Sequence, residues 1–317
     1  MKKTKRWGKK VIYIRNWKKV NETYVKRGEF YLDFEWVQGW DKELEEMNRG
    51  KKGAPYQFPE SLIHLQAVWT QCFSYRVAEG MTREVALFSQ LPKYNDYTTI
   101  FRRVTKSDYD LPKMRSEKIS AATDGSGVKM NMGCEYFQEK YGDGKRRKYI
   151  KVVITADPFE KDIAKIEVSV EGEGNSEPEV AEDHMRQLIN EGYIIEGFYG
   201  DGSFDTNPLF DFCDLNNIDP KIKIRENAVV DPEGSWRRNE EVKKYKKIGY
   251  KKWAKKKRYG MRWPGTEGIF SAVKRIFGDR VRSKKVENMC KEAERRFWAY
   301  QVMKRYAEEK IVARDRF

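Results

Sequence analysis

The chain has 317 residues, enough for one large domain or two ordinary ones, and its 64 Lys and Arg against 49 Asp and Glu give a formal net charge of +15. Charged residues make up 36%, well above the roughly 25% of an average protein. No apolar run approaches the ~18 residues of a membrane span, and Arg15 cuts VIYI too short for a signal peptide; two histidines exclude most His-based triads and metal sites, and four scattered cysteines exclude zinc spacing and a disulfide framework. A soluble cytoplasmic protein with reduced thiols is expected, and the basic excess calls for a polyanionic partner.

Taken in order, Met1 to Val20 holds nine Lys or Arg and no acid. The arm through residue 54 continues with a strand-like FYLDF and a helix around Asp41 to Met47. From Pro59 the pattern is helical. Leu62, Leu65, Val68, Trp69 and Phe73 mark one apolar face, His64 sits on the same helix as a structural residue, and Gly80 interrupts the run. Thr82 caps a second helix, Arg83 to Leu91, and Tyr97 to Val104 forms a third. Short helices over 55–112, with Arg102 and Arg103 on the last, suit a helix-turn-helix-like DNA reader, and a generic helical bundle would look similar.

At Lys118 the periodicity changes. KISAATD (118 to 124) reads as a strand that stops at Asp124, followed by a Gly125-Ser126-Gly127 turn. KYIKVVITADP (148 to 158) and DIAKIEVSVEG (162 to 172) complete an antiparallel meander, separated by GDGKRR and DPFEKD. A helix from about Glu179 to Asn190, a strand ending at Asp201, a helix from about Thr206 to Asn216 and the strand KIKIR (221 to 225) follow. That element order is the order of an RNase H-like α/β fold, a mixed five-stranded sheet with flanking helices, spanning 113–283. Its first and fourth strands lie side by side and parallel. Asp124 and Asp201 would then be neighbours at one sheet edge, where open α/β sheets bind ligands.

After Arg225 the regular pattern lapses into a basic insertion, 226–263, in which Arg237 to Arg258 holds twelve Lys or Arg against Glu240 and Glu241. Lys243, Lys244, Lys246, Lys247, Lys251, Lys252, Lys255, Lys256 and Lys257 are candidates to follow phosphates. The interleaved Tyr245, Tyr250, Trp253 and Tyr259 would stack on bases or anchor the segment to the core. Pro264 and Thr266 start a helix that carries Glu267 and, two turns on, Lys274 on the same face. An amphipathic helix over 284–317 closes the chain.

Three carboxylates within several ångströms repel by about 4 kcal/mol per pair at an effective dielectric near 20, so Asp124, Asp201 and Glu267 together call for cations. All-oxygen ligands select Mg²⁺ or Mn²⁺ rather than zinc. Two such ions would serve in-line phosphoryl transfer on nucleic acid.

TDGSG around Asp124, GDGSFD around Asp201 and the array Tyr259, Arg262, Glu267, Lys274 resemble the DDE transposases of bacterial and archaeal insertion sequences, most closely the insertion sequence five group. NWKKVNETYVKRGEF, MNRGKKGAPYQFPESLI and YNDYTTIFRRV resemble that group's archaeal-type N-terminal region, so the likeness covers nearly the whole chain. Four residues separate Arg262 from Glu267, one more than in the family pattern. The resemblance implies that Asp124, Asp201 and Glu267 bind two Mg²⁺ ions, with Mn²⁺ able to substitute. It further implies that Lys274, Arg262 and Tyr259 contact end DNA, and that Asp205 is structural. The implied protein binds terminal inverted repeats, cleaves them and joins the freed 3′-hydroxyl to target DNA, as a homodimer on double-stranded DNA in the nucleoid of a prokaryotic cytoplasm. A catalytically silent DNA-end-binding remnant and a nuclease without strand transfer remain open alternatives.

Overall fold

The computed structural model describes residues 16–88, 90–131 and 149–314. The start of the basic arm, Cys134 and the GDGKRR turn lie outside the described residues.

Five strands form one mixed sheet: β1 (Lys118–Lys129), β2 (Tyr149–Asp157), β3 (Asp162–Val170), β4 (Ile194–Gly200) and β5 (Asp219–Ile222), in the order β3-β2-β1-β4-β5. β1 pairs antiparallel with β2, and β2 with β3; β1–β4 and β4–β5 are parallel. Helix α6 (Glu177–Asn190) connects β3 to β4, and α7 (Asn207–Leu215) connects β4 to β5. This is the expected RNase H-like α/β architecture. The sheet is covered on two sides, and β1 contributes buried side chains to both cores. Ile119 and Ala121 of β1 pack with Met185 and Leu188 of α6 and with Phe210 of α7. Ile150, Val152, Ile154 and Ala156 of β2 face the opposite side.

Asp124 is not the last residue of its strand, which corrects the turn expected there. β1 continues through Gly125 and Gly127, paired with Val153 and Lys151. Both glycines thus stand within the strand, not in a turn; a Cβ on Gly125 would require the Glu177 carboxylate at the start of α6 to shift. The parallel pairing with β4 nonetheless ends at Ala122 and Tyr199. Asp124 therefore sits just past the point where β1 and β4 part company.

On the second sheet face lie α10 (Glu267–Phe277) and the closing helix α11 (Val286–Arg314), together with the N-terminal helices α1 (Trp17–Glu29), α2 (Trp40–Asn48), α3 (Glu60–Cys72), α4 (Tyr75–Leu87) and α5 (Tyr97–Lys106). FYLDF is not a strand: Phe30–Leu32 is a 3₁₀ turn, with Phe30 edge-on to Tyr306 of α11 at 5.2 Å. Ile63 and Trp69 of α3, Ile100 of α5, Val273 of α10 and Phe297 of α11 belong to one continuous buried cluster. A buried ionic knot fastens α11 to β3, because Asp162 accepts from Lys304 at 2.7 Å and pairs with Arg305 at 2.8 Å.

The basic insertion is helical. Ser235 caps α8 (Trp236–Lys256), and Gly249, at φ 72° and ψ 160°, breaks it into two pieces. Tyr245, Trp253 and Tyr259 contact one another in sequence at 5.5 and 5.2 Å, with Trp253 and Tyr259 buried. Those aromatics anchor the segment, the second of the two roles open to them, and most of the lysines between them face solvent.

Candidate active site

Three distant segments converge at the edge where β1 and β4 separate. Asp124 comes from β1. Asp201 follows β4 directly and caps a 3₁₀ turn, accepting from the Ser203 amide at 2.7 Å and the Ser203 hydroxyl at 2.6 Å. Glu267 is the first residue of α10. Its approach is set by a short helical turn, α9 (Arg262–Gly265), where a Cβ on Gly265 would come within 2.7 Å of Pro158 Cα. Only a glycine lets this segment lie against the β2–β3 loop.

Arg262 stands between the acids. Its Nη1 donates to Asp124 Oδ2 at 2.9 Å and its Nη2 to Glu267 Oε1 at 2.9 Å. The extra residue between Arg262 and Glu267 is absorbed by α9, so the guanidinium still reaches the carboxylate. Burial pulls the Arg262 pKa down, but Tyr259 and the charges of Asp124, Asp201 and Glu267 outweigh it and raise it above the ordinary arginine value. Burial lifts the Asp124 carboxyl above the usual carboxylate range, aided by the negative charge of Asp201 and opposed by Arg262. Tyr259 is raised by burial and also bonds Arg262; it holds the arginine from behind instead of facing outward. Among the described residues, no three Asp, Glu, His or Cys side chains lie close enough together to hold a metal ion. Between Asp124 and Glu267 the positive charge is supplied by arginine.

Lys274 lies on the same helix as Glu267, and its Nζ donates to Ser126 Oγ at 2.8 Å. Burial holds its pKa below that of a free lysine, despite the nearby Asp279. Ser126 thus belongs to the site, although only its place in the GSG sequence beside Asp124 hinted at it. Asp205 is not among the converging acids. It is buried and accepts from the Arg225 amide at 3.0 Å and from Arg238 Nε at 2.6 Å.

The basic candidates divide. Lys243, Lys246, Lys247, Lys251, Lys252, Lys255 and Lys256 are exposed, whereas Lys244 pairs with Glu240 at 3.1 Å. Lys257 is drawn inward to Asp219 at 2.7 Å and Glu241 at 3.3 Å. On α5, Arg102 is exposed. Arg103 bonds Glu60 at 2.6 Å and the Phe58 carbonyl, with Tyr56 stacked on its guanidinium.

The sheet topology and the carboxylates at its open edge define an RNase H-like α/β protein with an acidic site. Residues 115–302 match a family described as "Transposase DDE domain", and residues 25–133 match a second family with the same description. The chain belongs to the transposase DDE domain family. It is accordingly a transposase, of a family that acts on DNA and generally uses divalent metals such as Mg²⁺. No solved structure matches it. No helix among the described residues is long and apolar enough to cross a membrane.

Proposed function

We propose that this is an archaeal-type transposase of the insertion sequence five family that works as a homodimer. It binds the terminal inverted repeats of its element, cleaves them and joins the freed 3′-hydroxyl to target DNA. The observation that carries this reading is the sharing of one guanidinium by Asp124 and Glu267, acids from opposite ends of the domain, with the charge of Asp201 acting on both Arg262 and Asp124.

In this reading Asp124, Asp201 and Glu267 hold two Mg²⁺ ions, and Mn²⁺ substitutes; the all-oxygen donor set suits such hard cations. When bound, the ions activate the attacking water or 3′-hydroxyl and stabilise the leaving oxygen. Tyr259 steadies Arg262, which with Lys274 turns to the phosphates of the end DNA. Residues 55–112 read the ends through the outer face of α5, where Thr98 and Arg102 are exposed. Residues 113–283 carry the chemistry, the exposed lysines of the 226–263 insertion follow the duplex backbone, and 284–317 brace the sheet.

The test uses labelled element ends and Mg²⁺ with wild type, Asp124→Asn and Asp201→Asn. Wild type is expected to nick and join, while both variants bind but do neither. Equal nicking by wild type and variant overturns the assignment of the acid concerned. Breaks without joined product would mean a nuclease, and binding without Mg²⁺-dependent breaks a silent remnant.

A further inference from the structure

Away from the acids, a groove of about 720 Å³ opens between the end of α3, the start of α4, one side of α5 and the segment that leads into α11. Arg282 builds its floor by donating to the carbonyls of Thr70 and Phe73, the latter at 3.1 Å. Phe73, Tyr97 and Phe101 line it and are 42%, 37% and 42% exposed. Neighbouring lining side chains set their geometry: Tyr75 meets Phe101 edge-on at 5.3 Å, and Arg76 lies over the Tyr97 ring at 4.6 Å. Around the rim, Arg102, Lys284 and Lys285 are exposed and form no ion pair among the described residues. Glu292 is the single carboxylate among the described lining residues. Its oxygens already accept from the Arg282 and Ser283 amides, the Ser283 hydroxyl and Arg296, so it does not neutralise the rim.

Unspent cations around exposed aromatic rings in a concavity are the recognition chemistry of unpaired nucleic acid. Phosphates take the cations, and bases, whose faces are free only outside a duplex, stack on the rings. A cavity of this size is on the scale that encloses small molecules, ~300–1,000 Å³, and admits nucleotides, not a double helix. We propose that this groove binds a short stretch of unpaired DNA, with phosphates on Arg102, Lys284 and Lys285 and bases against Phe73 and Phe101. The inference rests on the proposed action on DNA ends and adds a strand-binding subsite separate from both the acids and the α8 lysines. The groove and the acidic site are linked by α10, about 16 Å long, and by the segment that follows it, where Val281 donates to the Lys129 carbonyl of β1 at 3.0 Å.

The full-length protein is titrated into a labelled 12-nucleotide oligothymidylate and into a duplex element end, read by fluorescence anisotropy. Phe101→Ala is expected to weaken oligothymidylate binding about tenfold. The double variant Lys284→Ala, Lys285→Ala is expected to flatten the dependence of log affinity on log salt by about 1.4. The Lys284→Ala, Lys285→Ala variant should bind the duplex within about twofold of wild type. Unchanged oligothymidylate binding in both variants overturns the inference, as does competition by polyglutamate as effective as that by unlabelled oligothymidylate, which would make the groove a site for acidic peptide. If wild type binds duplex but not oligothymidylate, the groove assignment alone fails; if it binds neither, the proposed action on DNA ends fails.

Discussion

Arg262 and Asp124 meet through Nη1 and Oδ2 at 2.9 Å, and the same guanidinium bonds Glu267. The arrangement sets one positive charge between two acids and so offsets part of their mutual repulsion. In the proposed reading a divalent ion on the same carboxylates would compete with that guanidinium, and an arginine so released would be available to a DNA phosphate. Removing it should therefore separate two effects. Arg262→Gln is expected to bind Mn²⁺ without DNA about tenfold more tightly than wild type, measured by electron paramagnetic resonance titration, while losing affinity for element ends. Unchanged or weaker Mn²⁺ binding would show that Arg262 does not compete with metal.

The lysines of α8 should behave as two populations. Lys247, Lys251 and Lys252 are exposed, so converting all three to alanine should leave the melting temperature nearly unchanged. It should lower duplex affinity and reduce the salt slope by about 0.9 for each phosphate no longer neutralised. Lys257→Ala should do the reverse. Its ammonium sits against Glu241, whose side chain is 3% exposed and would keep only the longer 3.6 Å contact to Lys244, so its loss costs a part of the roughly 3–5 kcal/mol of a fully stranded buried carboxylate. Thermal melts and salt-dependent binding isotherms on the two variants separate these outcomes; a melting temperature unmoved by Lys257→Ala would contradict the structural role.

Much of the fold was legible because its strands are short apolar runs bounded by turn residues and several of its helices carry ordinary caps. Ser176 and Glu179 form a reciprocal capping box at the start of α6, and Asp96 caps α5 through the Thr98 and Thr99 amides at 2.8 and 3.0 Å. That Asp124 and Asp201 lie near the same sheet edge was readable from the strand order, which sets β1 beside β4. What was not legible depended on tertiary contact. Gly125 and Gly127 look like a turn in sequence, and only the register with β2 shows that they stand within a strand. Helix α8 was hidden because its few apolar residues are spread over a kink at Gly249, and Arg103 looks like a DNA-facing cation in sequence although Glu60, 43 residues away, takes its guanidinium. The bridging role of Arg262 had no sequence signal, since the interval to Glu267 departs from the family pattern.

His184 supplies a pH dependence that can be assigned to one side chain. Its Nδ1 lies 2.9 Å from Thr155 Oγ1, which in turn lies 2.8 Å from Thr123 Oγ1, all buried beneath the strand that carries Asp124. Burial, assisted by Lys165, pushes its pKa down to about 4, whereas in the unfolded chain it titrates near ~6.5. Between those values the unfolded chain takes up a proton that the native state refuses, so stability falls as pH drops from ~6.5 towards 4. The full loss is about 3 kcal/mol. Urea unfolding at pH 7 and pH 4.5 should show a smaller difference for His184→Asn than for wild type, and equal differences would remove His184 as the cause.

Arg238 ties the start of α8 to the turn that carries Asp201. Its Nε and Nη2 donate to the two oxygens of Asp205 at 2.6 and 3.2 Å, and the Asp205 side chain has no exposed surface. Asp205 also receives the Arg225 amide, so one buried carboxylate locks the residues after Asp201 to those after β5. Arg238→Ala strands that charge, at a cost of roughly 3–5 kcal/mol, whereas the paired change Arg238→Met, Asp205→Leu removes both charges and should recover part of the loss. If the ionic lock also fixes the Asp201 turn, the single variant should lose strand-cleavage activity at temperatures well below its melting point. A variant that melts early yet cleaves normally when cold would confine the pair to stability, and one that melts like wild type would show that Arg238 is not what compensates Asp205.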